Sequence, residues 1–145
     1  MHKKFNLTYF AKIRKENDLY LVSFRDFNNI FSEGSTIEEA INHATEALDG
    51  VLLTMSEKDQ RISLPSPSQK GEYPITVSID VAAPIMLHIV RTMNHKTLTD
   101  AAKKLNVPYQ QYQRLESNCN MTLKSLRNAA KALGFRAELC FYATS

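Results

Sequence analysis

The stretch YLVSFRDFNNIFSEGSTIEEAINHATEAL, residues 20–48, changes its hydrophobic period part-way along, and that change decides the fold. Its opening belongs to LYLVSF (19–24), whose β-branched and aromatic residues predict a strand. Past Gly34 the period becomes helical. Ser35 and Glu38 have the Ser-x-x-Glu spacing of a capping box, which predicts a helix start. Ile37, Ala40, Ile41, Ala44, Leu48, Val51, Leu52 and Met55 then recur at three- and four-residue intervals. Such spacing holds apolar side chains on one helical face, so an amphipathic helix is expected over 35–55, with Gly50 a mild weakness in it.

Upstream, FNLTYFAKI (5–13) reads as a second strand, joined to 19–24 through the polar turn RKEND (14–18) as a hairpin. NIFSEG is a short extended piece. Residues 57–72 are polar, with Pro65, Pro67 and Gly71, and read as a loop; YPITVSI (73–79) restores strand alternation. Strands with one long helix make a small α+β unit, assigned to residues 1–80. Residues 81–145 read as mainly helical. Pro84 suits a first helical turn leading into APIMLHIVRTM, and Thr97 with Asp100 repeats the capping spacing before DAAKKLN. Val107-Pro108 makes a tight connection to YQQYQRLE, and TLKSLRNAAKAL is closed by Gly134. In FRAELCFYA, Phe135, Ala137, Leu139 and Phe141 alternate with Arg136, Glu138, Cys140 and Tyr142, the pattern of a C-terminal strand.

The totals bound the function. At 145 residues, 43% apolar and 23% charged, the chain reads as one ordinary or two small soluble domains. No apolar run nears the ~20 residues of a bilayer span, and Met1–Tyr20 has no signal-peptide stretch, so no membrane and a cytoplasmic location are expected. Cys119 and Cys140 lack metal-ligand spacing and disulfide density. The net charge of +3 is unevenly spread. Residues 1–80 hold 9 Lys/Arg against 12 Asp/Glu, a net of −3, whereas residues 81–145 hold 9 against 3, a net of +6. The second half therefore suits a polyanionic partner.

Two short helices joined by a few residues form a helix-turn-helix pattern. In the second of them, Tyr112 and Leu115 should face Ala101, Ala102 and Leu105, which turns Gln110, Gln113 and Arg114 outward, Tyr109 to the edge and Gln111 to the flank. Glutamine can pair with an adenine edge in the major groove, and arginine with guanine or a phosphate. The alternative is an ordinary solvated face, since both residues favour helices. The stretch resembles the Cro/repressor-type helix-turn-helix, including Leu115-Glu116 at the end of the recognition helix, and departs from it at Leu98 and Pro108. Candidate DNA-binding residues are Thr97, Thr99, Lys103, Tyr109, Gln110, Gln111, Gln113, Arg114, Ser117 and Lys124.

Residues 20–48 resemble the HicB antitoxin family through Tyr20, Val22, Phe24, Asp26, Phe27, Gly34, Thr36, Glu38, Glu39, Ala40 and Ala44. Arg25 replaces that family's usual proline and Asn28-Asn29 its Pro-Gly turn, while the likeness continues through LPSP…GEYPITVSIDVA into the helix-turn-helix. The resemblance implies a two-domain antitoxin. A partial ribonuclease-H-like domain would bind and block HicA, a small basic mRNA-cleaving toxin, and the second domain would bind operator DNA. Contact positions expected on that basis are Tyr20, Asp26, Phe27, Glu33, Glu38 and Glu39. An acidic domain would attract a basic toxin.

A ribonuclease-H-like fold also raises a nuclease alternative, in which carboxylates hold two Mg²⁺ ions. Asp18, Asp26, Glu33 and Asp80 are the candidates, but no pair falls on the inner face of a central strand, and Asp26 reads as a turn residue bonding its own backbone. No enzymatic activity, cofactor or metal site is expected. The histidines, His43 and His88 included, lack metal-binding spacing and are assigned structural or surface roles. The C-terminal strand, with Phe135, Leu139 and Phe141, is expected to pair with a second copy, giving a homodimer or higher even oligomer; packing on its own first domain is the alternative. The runner-up function is a stand-alone repressor with a ligand-sensing or oligomerising first domain.

Overall fold

A computed structural model describes residues 4–144 of the chain. Four strands, β1 (Thr8–Glu16), β2 (Leu19–Phe24), β3 (Phe31–Gly34) and β4 (Tyr73–Thr76), form one sheet in the order β3-β2-β1-β4, with every neighbouring pair antiparallel. The β1–β2 ladder continues to Glu16 opposite Leu19, so the turn is confined to Asn17 and Asp18 rather than the whole of RKEND. Asn17 supplies the left-handed backbone there (φ 56°), a conformation asparagine tolerates well.

Helix α1 (Ile37–Glu57) crosses one face of the sheet and buries Ala40, Ala44, Leu48 and Leu52. These meet Tyr9, Ala11, Val22, Phe24 and Ile75, which alternate along the strands, while Phe27 stacks edge-on to Tyr9 at 4.9 Å. The helix is capped one residue later than predicted. Thr36 Oγ1 accepts from Glu39 N at 3.0 Å, and Glu39 Oε1 accepts from the Ser35 amide at 3.1 Å. Two Ser/Thr-x-x-Glu frames overlap in STIEE, and the chain uses the second. Gly34 allows the strand to meet the helix, because a Cβ there would lie 2.8 Å from Ala40 Cα, against backbone that cannot move aside.

The segment 58–72 contains no regular element, yet it is tied down. Arg25 donates from Nε and Nη2 to the two oxygens of Glu72, both at 2.9 Å, and from Nη2 to Pro67 O at 2.6 Å. Asp26 does not bond its own turn as predicted. Its carboxylate reaches 40 residues along the chain and accepts from Ser66 N at 2.8 Å and Ser66 Oγ at 2.5 Å.

Four further helices follow: α2 (Ile79–Met93), α3 (Leu98–Leu105), α4 (Tyr109–Leu115) and α5 (Leu123–Ala132). Pro84 lies inside α2 rather than in its first turn. The helix begins early because Ser78 is fixed ahead of it, its Oγ donating to Asp49 Oδ2 at 2.6 Å while its carbonyl accepts from Val81 and Ala82. Pro84 is buried and only forgoes the bond that its missing N–H would make to Asp80. Helix α2 serves two cores: Val81, Ile85 and Ile89 join the sheet and α1, and Leu87 and Val90 join Ala101, Ala102, Tyr112, Ala129, Ala130 and Leu133. Thr97 and Asp100 form the predicted capping box. After α5, Gly134 (φ 88°) closes a Schellman motif, with Phe135 N donating to Ala130 O at 2.9 Å and Gly134 N to Lys131 O at 3.0 Å.

Residues 136–144 carry no strand within the single chain. A strand requires a neighbouring backbone, and among the described residues none pairs with this one. Arg136 and Glu138 pair at 2.6 Å on one side of the segment, while Leu139 and Phe141 remain exposed. Phe135, expected among the dimerising residues, packs instead edge-on to Phe5 of its own chain at 6.5 Å. Among the described residues, no helix is long and apolar enough to cross a membrane.

Candidate functional site

Helices α3 and α4, the pair expected to form a helix-turn-helix, are joined at Asn106 (φ 59°), whose left-handed backbone ends α3. Tyr112 is fully buried against the bundle and Leu115 half-buried, so α4 has one inward side. The other carries Gln110, Gln111, Gln113 and Arg114, all exposed, with Tyr109 at the rim. Thr97, Thr99, Lys103, Ser117 and Lys124 are exposed as well, though the Thr97 hydroxyl is already used by the Asp100 amide at 3.0 Å. Pro108 caps α4 without a side-chain hydrogen bond, its carbonyl accepting from the Gln111 and Tyr112 amides at 3.0 and 3.2 Å.

Below α4, a polar cluster missed by the sequence reading fills the space between the two cores. Arg91, on α2, is 1% exposed and donates to Glu116 from Nε (2.6 Å) and Nη2 (3.0 Å), to Asp59 Oδ1 from Nη2 (2.5 Å), and to Lys96 O from Nη1 (2.9 Å). His88, also buried, donates from Nε2 to Gln60 O at 2.6 Å and places Nδ1 3.0 Å from Glu116 Oε1. Burial opposes ionisation of Glu116, but hydrogen bonds from His88 and Arg91 and the guanidinium charge hold its carboxyl below the usual glutamate range. Burial likewise opposes the Arg91 charge, which Glu116 and Asp59 more than restore. Asp59, His88 and Glu116 sit close enough to share an ion. The guanidinium of Arg91 fills that position, making the cluster an ion-pair network. In the sequence His88 shows no local metal spacing. Its partners come from distant segments, and only its place on the apolar side of α2 hinted at burial.

The acidic positions are scattered. Glu33, Glu38 and Glu39 are exposed at the end of β3 and the start of α1, and Tyr20 is partly buried on β2 beneath the Lys15 ammonium, 5.6 Å from its ring centre. Asp26 lines a groove with Arg25, Phe27, Asn28, Met55 and Gln60. Phe27 is only 8% exposed, its ring committed to the core, so it drops out of the predicted contact set. Asp18, Asp26, Glu33 and Asp80 do not converge; among the described residues the acid and histidine group at ion-sharing distance is the Asp59 cluster alone.

The family described as "HicB_like antitoxin of bacterial toxin-antitoxin system" matches residues 8–86. The chain belongs to this HicB-like antitoxin family. It is similar to Antitoxin HicB of Escherichia coli (strain K12), 31% identical over 121 residues, which cover 83% of this chain and 88% of that one. It is also similar to Antitoxin HicB 2 of Photorhabdus laumondii subsp. laumondii, 30% identical over 135 residues, covering 92% and 96%. A crystal structure of the Burkholderia pseudomallei antitoxin HicB aligns with a TM-score of 0.46 and 20% identity, over 69% of this chain and 97% of that one. As a HicB-like antitoxin, the chain is a non-enzymatic member of a toxin–antitoxin pair. The family match spans the sheet, α1 and the start of α2 and stops before the helix-turn-helix.

Proposed function

We propose that this antitoxin covers a HicA-type mRNA-cleaving toxin with its acidic α+β unit and represses its own operon by inserting α4 into the major groove of operator DNA. The observation that carries the DNA half is the division of α4, with Tyr112 fully buried and Gln110, Gln113 and Arg114 exposed on the opposite side. Uncharged amides and one guanidinium on an exposed helix can read base edges, and the +6 charge of residues 81–145 supplies attraction to phosphates.

Toxin neutralisation is steric, with no chemistry performed by this chain. The net −3 of residues 1–80 favours approach of a basic protein. Asp26, Glu33, Glu38 and Glu39, with Tyr20, are the proposed contacts. The division of labour, residues 1–80 for toxin and 81–145 for DNA, has α2 as its shared wall. Two chains joined through 136–144 would place two copies of α4 on successive turns of a palindromic operator. The antitoxin would act in the cytoplasm, where its promoter and the mRNA cleaved by its toxin are found.

The test is co-purification with the product of an adjacent short reading frame encoding a basic protein, followed by gel shift on the shared promoter. Capture of that protein and a shifted promoter are expected. A promoter shift with no neighbouring toxin gene would favour a stand-alone repressor instead. Alanine at each proposed acidic contact should weaken rescue of toxin-arrested growth, and full rescue by every variant would discard the toxin-binding surface.

A further inference from the structure

Asp59 and Gln60 follow the end of α1, and both reach into the helix-turn-helix bundle. Asp59 Oδ1 accepts from Arg91 Nη2 at 2.5 Å, the Gln60 carbonyl accepts from His88 Nε2 at 2.6 Å, and Ser56 Oγ donates to the Glu116 carbonyl at 3.3 Å. The same two α2 side chains, His88 and Arg91, hold the Glu116 carboxylate, and Glu116 is the residue that ends α4. Asp59 and Gln60, just past the end of α1, and Glu116, the C-cap of α4, are thus fastened to one pair of side chains.

We propose that this polar joint sets the position of α4 relative to the α+β unit, with Asp59 as its releasable arm. A basic partner seated beside Asp26 and Gln60 would then alter operator reading through the joint. The inference rests on the antitoxin reading above. Two features separate this from a merely structural ion pair. The first is asymmetry: Glu116 and Arg91 have side chains 5% and 1% exposed, whereas Asp59 is 51% exposed and open to competition from an arriving cation. The second is continuity, since Gln60, whose carbonyl holds His88, also lines the groove shared by Arg25, Asp26, Phe27, Asn28 and Met55. A ligand shifts an equilibrium only by contacting its two states differently. A basic surface that draws Asp59 away from Arg91 meets that condition.

Asp59→Asn is the discriminating variant, because Asn keeps the side-chain shape and accepts the left-handed backbone at this position (φ 51°) while losing the charge. In the full chain with Cys119→Ser and Cys140→Ser, spin labels are placed at Glu46→Cys on α1 and Gln111→Cys on α4, both exposed positions. Pulsed electron–electron resonance should give one narrow distance distribution, and adding Asp59→Asn should broaden or shift it. An unchanged distribution overturns the joint. In the functional arm, affinity for a duplex of the antitoxin's own promoter is measured with and without co-purified toxin. The toxin should change it by about fivefold or more, the low end of typical coupling between sites. Asp59→Asn should largely abolish that change, because the free variant's affinity for the duplex should already have moved toward the value that the unmutated chain shows with toxin bound. Equal toxin dependence in both chains, or none in the unmutated chain, contradicts the proposal. Failure to bind both duplex and toxin would sink the functional reading instead, and the distance measurement would still decide the joint.

Discussion

Arg25 and Glu72, 47 residues apart, form a two-pronged ion pair in which Nε and Nη2 each lie 2.9 Å from a carboxylate oxygen. Arg25 stands where the resemblance calls for proline, and it converts a long polar connection into a fastened one. The Arg25 hydrogen bonds, helped by the Gln69 amide, hold the Glu72 carboxyl at about 2. A carboxyl lowered in the folded state stabilises above its ordinary value and stops doing so as pH falls through the folded one. Glu72→Gln should therefore raise backbone exchange over 64–72 near neutrality, and its difference from the unmutated protein should vanish as pH falls from about 4.5 to about 2. Hydrogen exchange followed by mass spectrometry checks both.

Thr36, and not Ser35, caps α1. Thr36→Ala should cost ~1 kcal/mol in urea unfolding. Ser35→Ala should change stability by less than ~0.5 kcal/mol, because only its backbone amide is engaged. Equal losses would show that both overlapping frames operate in solution.

Glu116 is buried between Arg91 and His88, and removing one member of such a cluster leaves a charge uncompensated. Glu116→Gln should cost about 3–5 kcal/mol by chemical denaturation. The carboxyl is lowered on folding, so its contribution is complete above the ordinary glutamate value and is lost as pH falls through the lower folded one. The unmutated protein should lose that advantage over Glu116→Gln under acid titration, with Asp59, His88, Arg91 and Tyr112 lining the same site.

Leu139 and Phe141 are exposed at 57% and 94% on a segment that pairs with no strand among the described residues. Deleting residues from 136 onward should convert a dimer to a monomer by light scattering and weaken promoter binding. A truncated chain that stays dimeric would assign self-association to another surface.

Much of this fold was legible in the sequence because its signals are local. Strand alternation in 19–24, the apolar stripe of α1, the Thr97–Asp100 box and Gly134 each encode a preference within a few residues, and the outward placement of Gln110 and Gln113 follows from the position of Tyr112. What escaped depends on distant partners. The place of Pro84 inside α2 is not legible locally, because the start of α2 is set by Asp49, on another helix. Nothing near Asp26 announces Ser66, so its sequence context suggests only a local turn, and the burial of Phe27 depends on the distant Tyr9. The Asp59–His88–Arg91–Glu116 cluster draws on three separated segments, and no spacing rule links them.

The account depends most on the exposed face of α4. Fluorescence anisotropy with a duplex of the chain's own promoter, against a scrambled duplex of equal length, tests it most directly. Gln110→Ala and Gln113→Ala should each weaken promoter binding by ~1–3 kcal/mol and leave scrambled-duplex binding unchanged. Lys103→Ala or Lys124→Ala should weaken both duplexes alike and flatten the salt dependence. Promoter affinity indifferent to both glutamines, or no preference for promoter over scrambled sequence, would contradict the assignment of α4 as the reading helix.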